Sequence, residues 1–279
     1  MIVPMGTSSN AYFPLGYYFT KVASFPADLP PITFPTALRA FSEQQSLSTS
    51  IKPIRIPQLP KAFVAFEVTT YTEYFSKVYA GSEWHNEFLR ETVFTGFLWP
   101  AEDIFIAATS FDVVKAFVRS AREKSSGRIY LQSLRVNIDG LIGVTSRGTR
   151  AISLEHDLDS GGPHHVKRLS AAGRDVQESP EVQHYRQGGA IGSGLEFNYP
   201  YEGLEFPLWV TRDGSIRLNR HVGESGDPNI QLELAIVTDC WKQRVEKFYE
   251  VKSLVRPAKV VSRPGPVQGQ QALDLPLKP

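Results

Sequence analysis

Apolar and polar positions alternate or cluster along the middle of the chain in ways that predict specific elements. Residues 62–68 (AFVAFEV) are apolar and rich in strand formers, and predict a strand. Residues 82–94 (SEWHNEFLRETVF) open with a serine and an early glutamate, which predicts a capped helix. Residues 103–107 (DIFIA) predict a short buried strand. Thr109 and Ser110 then precede FDVVKAFVRSAREK, where Val113, Val114, Phe117, Val118 and Ala121 recur at helical spacing. With an acid at Asp112 and a basic end at Arg119, Arg122 and Lys124, this predicts a helix over 111–124. Strands are predicted at 128–138, 204–210 and 230–237, and a closing helix at 241–252. Strands in mixed order with a few helices, mostly early, predict an α+β fold and not a doubly wound parallel sheet.

Proline divides the chain. Nine of the 20 prolines fall in residues 1–60, six in 61–256 and five in the last 23. Proline removes a backbone donor and pushes its predecessor out of the helical region, so both ends read as extended or loosely ordered. The reading is therefore a Pro-rich N-terminal extension at 1–60, a folded body at 61–255 and a flexible tail at 256–279. Tyr12, Phe13, Tyr17, Tyr18 and Phe19 would pack the extension across the body. Residues 42–50 (SEQQSLSTS) read as a polar linker.

Composition narrows the function classes. There are 30 Lys+Arg against 29 Asp+Glu, so no charge excess steers the chain to nucleic acid or an anionic membrane. No stretch reaches the roughly 18–20 apolar residues of a membrane-spanning helix. The N-terminus has no basic region ahead of its apolar part and is not expected to act as a Sec signal. The single cysteine, Cys240, excludes an intrachain disulfide and reads as a structural thiol. His156, His164, His165 and His184 have no metal-ligand spacing, so no metal site is expected. Residues 188–194 (GGAIGSG) lack the Lys-Ser/Thr of a phosphate loop and read as a turn.

The ordered series of a strand at 62–68, a strand and helix in DIFIAATSFDVVKAFV, the strand GRIYLQSLRV and the glycine-rich turn into Leu195-Glu196-Phe197 resembles the ADP-ribosyltransferase toxins, specifically the pertussis-toxin-like group. The pieces that carry the resemblance are Ala108-Thr109-Ser110, 128–136, and Glu196 followed by Phe197, spanning about residues 62–215. It implies a split mixed or antiparallel sheet with flanking helices, and NAD as substrate. It also implies Glu196 as the catalytic carboxylate, with Thr109, Ser110 and Phe66 in NAD binding. Glu202 is the rival carboxylate. Tyr71, Tyr74, Tyr79 and Trp84 are candidates for a wall against nicotinamide, though core packing is the commoner role for any one of them. Cleaving the nicotinamide–ribose bond passes through an oxocarbenium-like state, which a carboxylate beside the ribose stabilises.

Two departures shape the expectation. The family's first-strand arginine is replaced by Ala65 and Phe66, so either Arg55, Arg90 or Arg135 grips the phosphates or the chain is a divergent branch with a different triad. Two residues before Glu196, where arginine-modifying members carry Glu or Gln, this chain has Gly194. The implied function is an effector, exported without a Sec signal, that ADP-ribosylates a host protein on a Thr/Ser-type hydroxyl, with ubiquitin as one candidate target. The alternatives are an NAD glycohydrolase on the same fold and a non-catalytic interaction protein.

Overall fold

The computed structural model describes residues 16–26, 31–39, 47–76, 78–80, 83–86, 88–145, 149–155, 168–174, 176–218 and 229–251. The elements, in chain order, are β1 (Gly16–Ser24), β2 (Ile32–Pro35), β3 (Ser48–Ile54), β4 (Val64–Tyr74), β5 (Val78–Ala80), β6 (Glu83–His85), β7 (Phe88–Trp99), β8 (Ile104–Ala108), α1 (Phe111–Lys124), β9 (Tyr130–Val136) and α2 (Ile138–Val144). There follow β10 (Thr149–Glu155), β11 (Arg168–Ala172), α3 (Pro180–Gln187), β12 (Ile191–Tyr201), β13 (Leu204–Thr211), β14 (Ser215–Leu218), α4 (Ile230–Cys240) and β15 (Tyr249–Val251). The α+β class stands: one large sheet, antiparallel at every described pairing, with four α-helices among the described residues.

The main path of the sheet runs β11-β10-β12-β13-β14-β1-β8-β7-β4-β3-β2. It forks at β1, whose first residues pair with β14 and whose later residues pair with β9, while β8 holds the opposite edge. Successive side chains on a strand point to opposite faces, so each strand feeds two cores. Tyr17, Phe19, Ile104, Ile106, Leu195, Phe197, Leu208 and Val210 face the larger core, which α2, α3 and α4 help to close. Tyr18, Phe66, Val68, Phe105 and Ala107 face the second, closed by α1 through Val113, Val114, Phe117 and Ala121.

The helix expected at 111–124 forms over those residues, and the strands at 103–107 and 204–210 form within a residue of their expected ends. Other expectations are corrected. Residues 82–94 do not form a helix where described: 83–85 pair with β5, and 88–94 lie in β7, which is registered against β4 at eleven consecutive positions from Val64↔Leu98 to Tyr74↔Phe88. That long cross-strand pairing overrides a weak helical opening. Residues 230–237 lie in helix α4, whose start is capped by Asn229 Oδ1 accepting from the Leu232 N–H at 3.1 Å. The closing helix at 241–252 is replaced by a π turn (Trp241–Val245), a 3₁₀ turn (Glu246–Phe248) and β15. Within residues 128–138, Tyr130–Val136 form β9, and Ile138 already opens α2.

The segment before residue 61, expected as an extension, supplies β1, β2 and β3 to the same sheet. Tyr17, Tyr18 and Phe19 are buried there; Tyr12, Phe13 and the tail at 256–279 lie outside the described residues. Among the described residues no helix is long and apolar enough to cross a membrane.

Candidate functional site

A cavity of about 790 Å³ opens on the sheet at β10, β11 and β12, lined by Thr149, Arg150, Ala151, Ala172, Gly173, Arg174, Glu196 and Asn198. Its size is within the usual range for small-ligand sites. Of two irregularities in the β10–β12 ladder, the one at Arg150 falls within its lining. Thr149 opposes Phe197 while Ala151 opposes Glu196, leaving Arg150 as an extra residue; Ser193 is extra on β12. Such bulges re-aim side chains, and here the Arg150 Nε reaches Glu196 Oε1 at 3.8 Å. The Glu196 side chain is 17% exposed, shielded but open to the cavity, while Arg150 and Arg174 stand in solvent at the rim. The result is one half-buried carboxylate beside two guanidinium groups, an arrangement that can bind an anionic molecule while presenting a base to it.

Glu196, Trp209, Arg217 and Gly16 are direct cross-strand partners in turn, and Gly16 O accepts from the Thr109 N–H at 3.1 Å. Glu196 and Thr109 therefore share one row across the sheet but stand four interstrand steps apart, about 19 Å at the usual strand spacing. The structure does not bring Thr109 or Ser110 to Glu196. Thr109 is nearly buried; Ser110 is exposed at the start of α1 and makes no capping hydrogen bond. Phe66 is 1% exposed, its ring packed against Phe25 and Phe105, so it lines none of these surfaces. Glu202 stands exposed at the tip of the β12–β13 hairpin, where it and Gly203 take positive φ values of 49° and 79°.

Of the proposed phosphate donors, Arg55 and Arg90 are exposed on the opposite arm of the sheet from Glu196, near β3 and on β7. Arg135 lines a separate cavity of about 250 Å³ with Asp139 and Arg212. Arg150 and Arg174 were invisible to sequence reasoning, because a bulge within GTRAISLE leaves no mark on residue type. Tyr71 and Tyr74 lie on β4, and Tyr79 opposes Trp84 in the β5–β6 hairpin. His184 sits on α3, and His156, His164 and His165 lie outside the described residues. The turn expected at 188–194 is limited to its start, at Gly189; Gly192 and Gly194 belong to β12.

Cys240 is fully buried, and burial pushes its thiol well above its ordinary pKa, the state of an inert structural cysteine. No protein-family model matches the chain, and no curated protein matches it.

Proposed function

We propose that the protein cleaves NAD and transfers ADP-ribose to a hydroxyl of a host protein, with Glu196 as the carboxylate at the ribose. The observation that carries the reading is the grouping of Glu196 with Arg150 and Arg174 in one cavity. The sequence lacks the family's first-strand arginine, and these two guanidinium groups supply the positive charge that the dinucleotide phosphates require. The large antiparallel sheet, forked at β1, is a loose fit to the split sheet of that family.

In this chemistry the bond between nicotinamide N1 and ribose C1′ breaks, and nicotinamide leaves with the bonding pair. The C1′ carbon, carrying oxocarbenium character, is stabilised by the Glu196 carboxylate and bonds to the acceptor oxygen. The acceptor's proton passes to the carboxylate or to water. Gly194 offers no acid or amide to position a guanidinium, which favours a Thr or Ser hydroxyl as acceptor and keeps ubiquitin among the candidate targets.

Incubation with biotin-NAD and a eukaryotic lysate tests this, comparing wild type, Glu196→Gln and Glu202→Gln while free nicotinamide is assayed. A labelled protein lost only in Glu196→Gln is the expected result. Nicotinamide without label indicates the glycohydrolase. The separation of Thr109 and Ser110 from Glu196 favours, as a second reading, a non-catalytic interaction protein; NAD left intact by all three proteins establishes that one.

A further inference from the structure

The cavity at β10, β11 and β12 is chemically two-sided. Arg150 on β10 and Arg174, just past the end of β11, bring guanidinium groups, which donate hydrogen bonds and accept none. Glu196 and Asn198 come from β12. Two residues apart on one strand, they project from the same face, with Cα atoms about 7 Å apart. Among the described residues Glu196 is engaged through the 3.8 Å contact to Arg150, which is beyond hydrogen-bond distance.

The half-buried Asn198 has its amide turned in a defined way. Its Nδ2 donates to Glu205 Oε2, on β13, at 3.0 Å. An ionised carboxylate only accepts, so the amide nitrogen and not its oxygen must face Glu205. The two atoms sit on opposite sides of one carbon. With the nitrogen held toward β13, Oδ1 is turned back toward β10, on the other side of β12, where the cavity lies. Among the described residues no donor bonds to that oxygen.

We propose that Asn198 Oδ1 accepts a hydrogen bond from a sugar hydroxyl of the ligand, so that the cavity selects a phosphate-bearing ribose over phosphate alone. The inference rests on the reading of Glu196 as the carboxylate at the NAD ribose, and gives that ribose a second acceptor. A ligand that satisfies this lining brings acceptors to the arginines and donors to β12. Ammonium donors are disfavoured, because two guanidinium groups outnumber the one carboxylate in the lining. Neutral hydroxyls meet the need on the β12 side, and phosphate oxygens meet it on the arginine side. An amide oxygen holds a hydroxyl without placing a second negative charge near the phosphates.

Isothermal titration of wild type and Asn198→Ala with ADP-ribose and with ADP, at constant ionic strength, tests this. ADP keeps the phosphates and lacks the terminal ribose, so the ratio of the two affinities isolates the contacts to that sugar. The expected result is that ADP binds both proteins alike, which also shows the variant to be folded. The preference for ADP-ribose over ADP should fall about three- to tenfold in Asn198→Ala, the size of one neutral hydrogen bond. An unchanged ratio, whether both ligands bind as before or both weaken together, would overturn the proposal. So would the absence of ADP-ribose binding to wild type at millimolar concentration. NAD cleavage is read separately with biotin-NAD. A shifted ratio in a protein that leaves NAD intact keeps Asn198 and removes the transferase reading, whereas cleavage with an unchanged ratio does the reverse.

Discussion

The Tyr17 hydroxyl donates a 2.7 Å hydrogen bond to the Glu233 carboxylate, joining β1 to α4 across 216 residues of sequence. Both residues are almost fully buried, at 0% and 4% exposure, within the larger core. A charged acceptor in such surroundings depends on its donors, and a buried hydrogen bond to a charged group is worth about 1.5–3 kcal/mol. Tyr17→Phe, which keeps the ring, should lower stability by about that amount in urea unfolding. A change too small to resolve would mean that the bond contributes nothing net.

Helix α1 makes an unusual demand on its first residue. Ser110 occupies the N-cap position with extended backbone angles, φ −83° and ψ 156°, yet its side chain makes no cap bond. At α3, Ser179 Oγ accepts from the Val182 N–H at 3.3 Å, and at α4 Asn229 caps in the same way. Losing a working cap typically costs about 1 kcal/mol. Asn229→Ala should therefore cost roughly that much, and Ser110→Ala less than about 0.5 kcal/mol. Equal losses at the two positions would show that Ser110 caps α1 in solution.

What the sequence disclosed follows from how local each signal is. Helix α1 was legible because its apolar spacing, opening acid and basic end agree within fourteen residues. The residues of α4 read as a strand because Ile230, Leu232 and Leu234 alternate with Gln231 and Glu233, the period of a half-buried strand, and only the Asn229 cap marks a helix. Strand β7 owes its state to β4, which pairing rules within 82–94 do not reveal. At the candidate site, Glu196 was reachable by resemblance, whereas Arg150 and Arg174 depend on a bulge and on the β10–β11 pairing. The central place of β1 was obscured by the prolines on either side of it.

Cys240 and Tyr17 predict how stability responds to alkali. Burial raises the thiol above its ordinary value of 9.0, with Asp239 raising it further and Arg244 opposing. Burial and then Glu233 raise the Tyr17 phenol above 10.0. In each case the folded chain keeps a proton that the unfolded chain gives up. The stabilisation is complete below the unfolded value and falls as pH rises past it, by at most about 1.4 kcal/mol per pH unit for each group. Unfolding free energies should therefore decline above about pH 9. The decline should be shallower in Cys240→Ala from about pH 9 and in Tyr17→Phe from about pH 10. An identical slope in wild type and variant would remove that group from the account. Native protein should also leave Ellman's reagent unreacted until it is unfolded.

Gly194 and Trp209 predict a packing cost beside Glu196 on β12 and β13. A Cβ at Gly194 would stand 2.5 Å from Trp209 Cζ2 and 2.9 Å from Cε2, so the indole lies directly over the glycine. Trp209 is also the cross-strand partner of Glu196, which puts the ring beside the carboxylate on one face of the sheet. The absence of a side chain at 194 is thus what lets this ring lie down. Gly194→Ala must lift the indole or shift the strand, at a cost of about 1–3 kcal/mol by analogy with overpacked interiors. The lifted ring would be more hydrated, so the Trp209 contribution to fluorescence, taken as the difference from Trp209→Phe, should move to longer wavelength. If Gly194→Ala instead unfolds at the wild-type midpoint with unchanged emission, the indole does not rest on the glycine. The acceptor argument built on Gly194 would then have to stand without its structural partner.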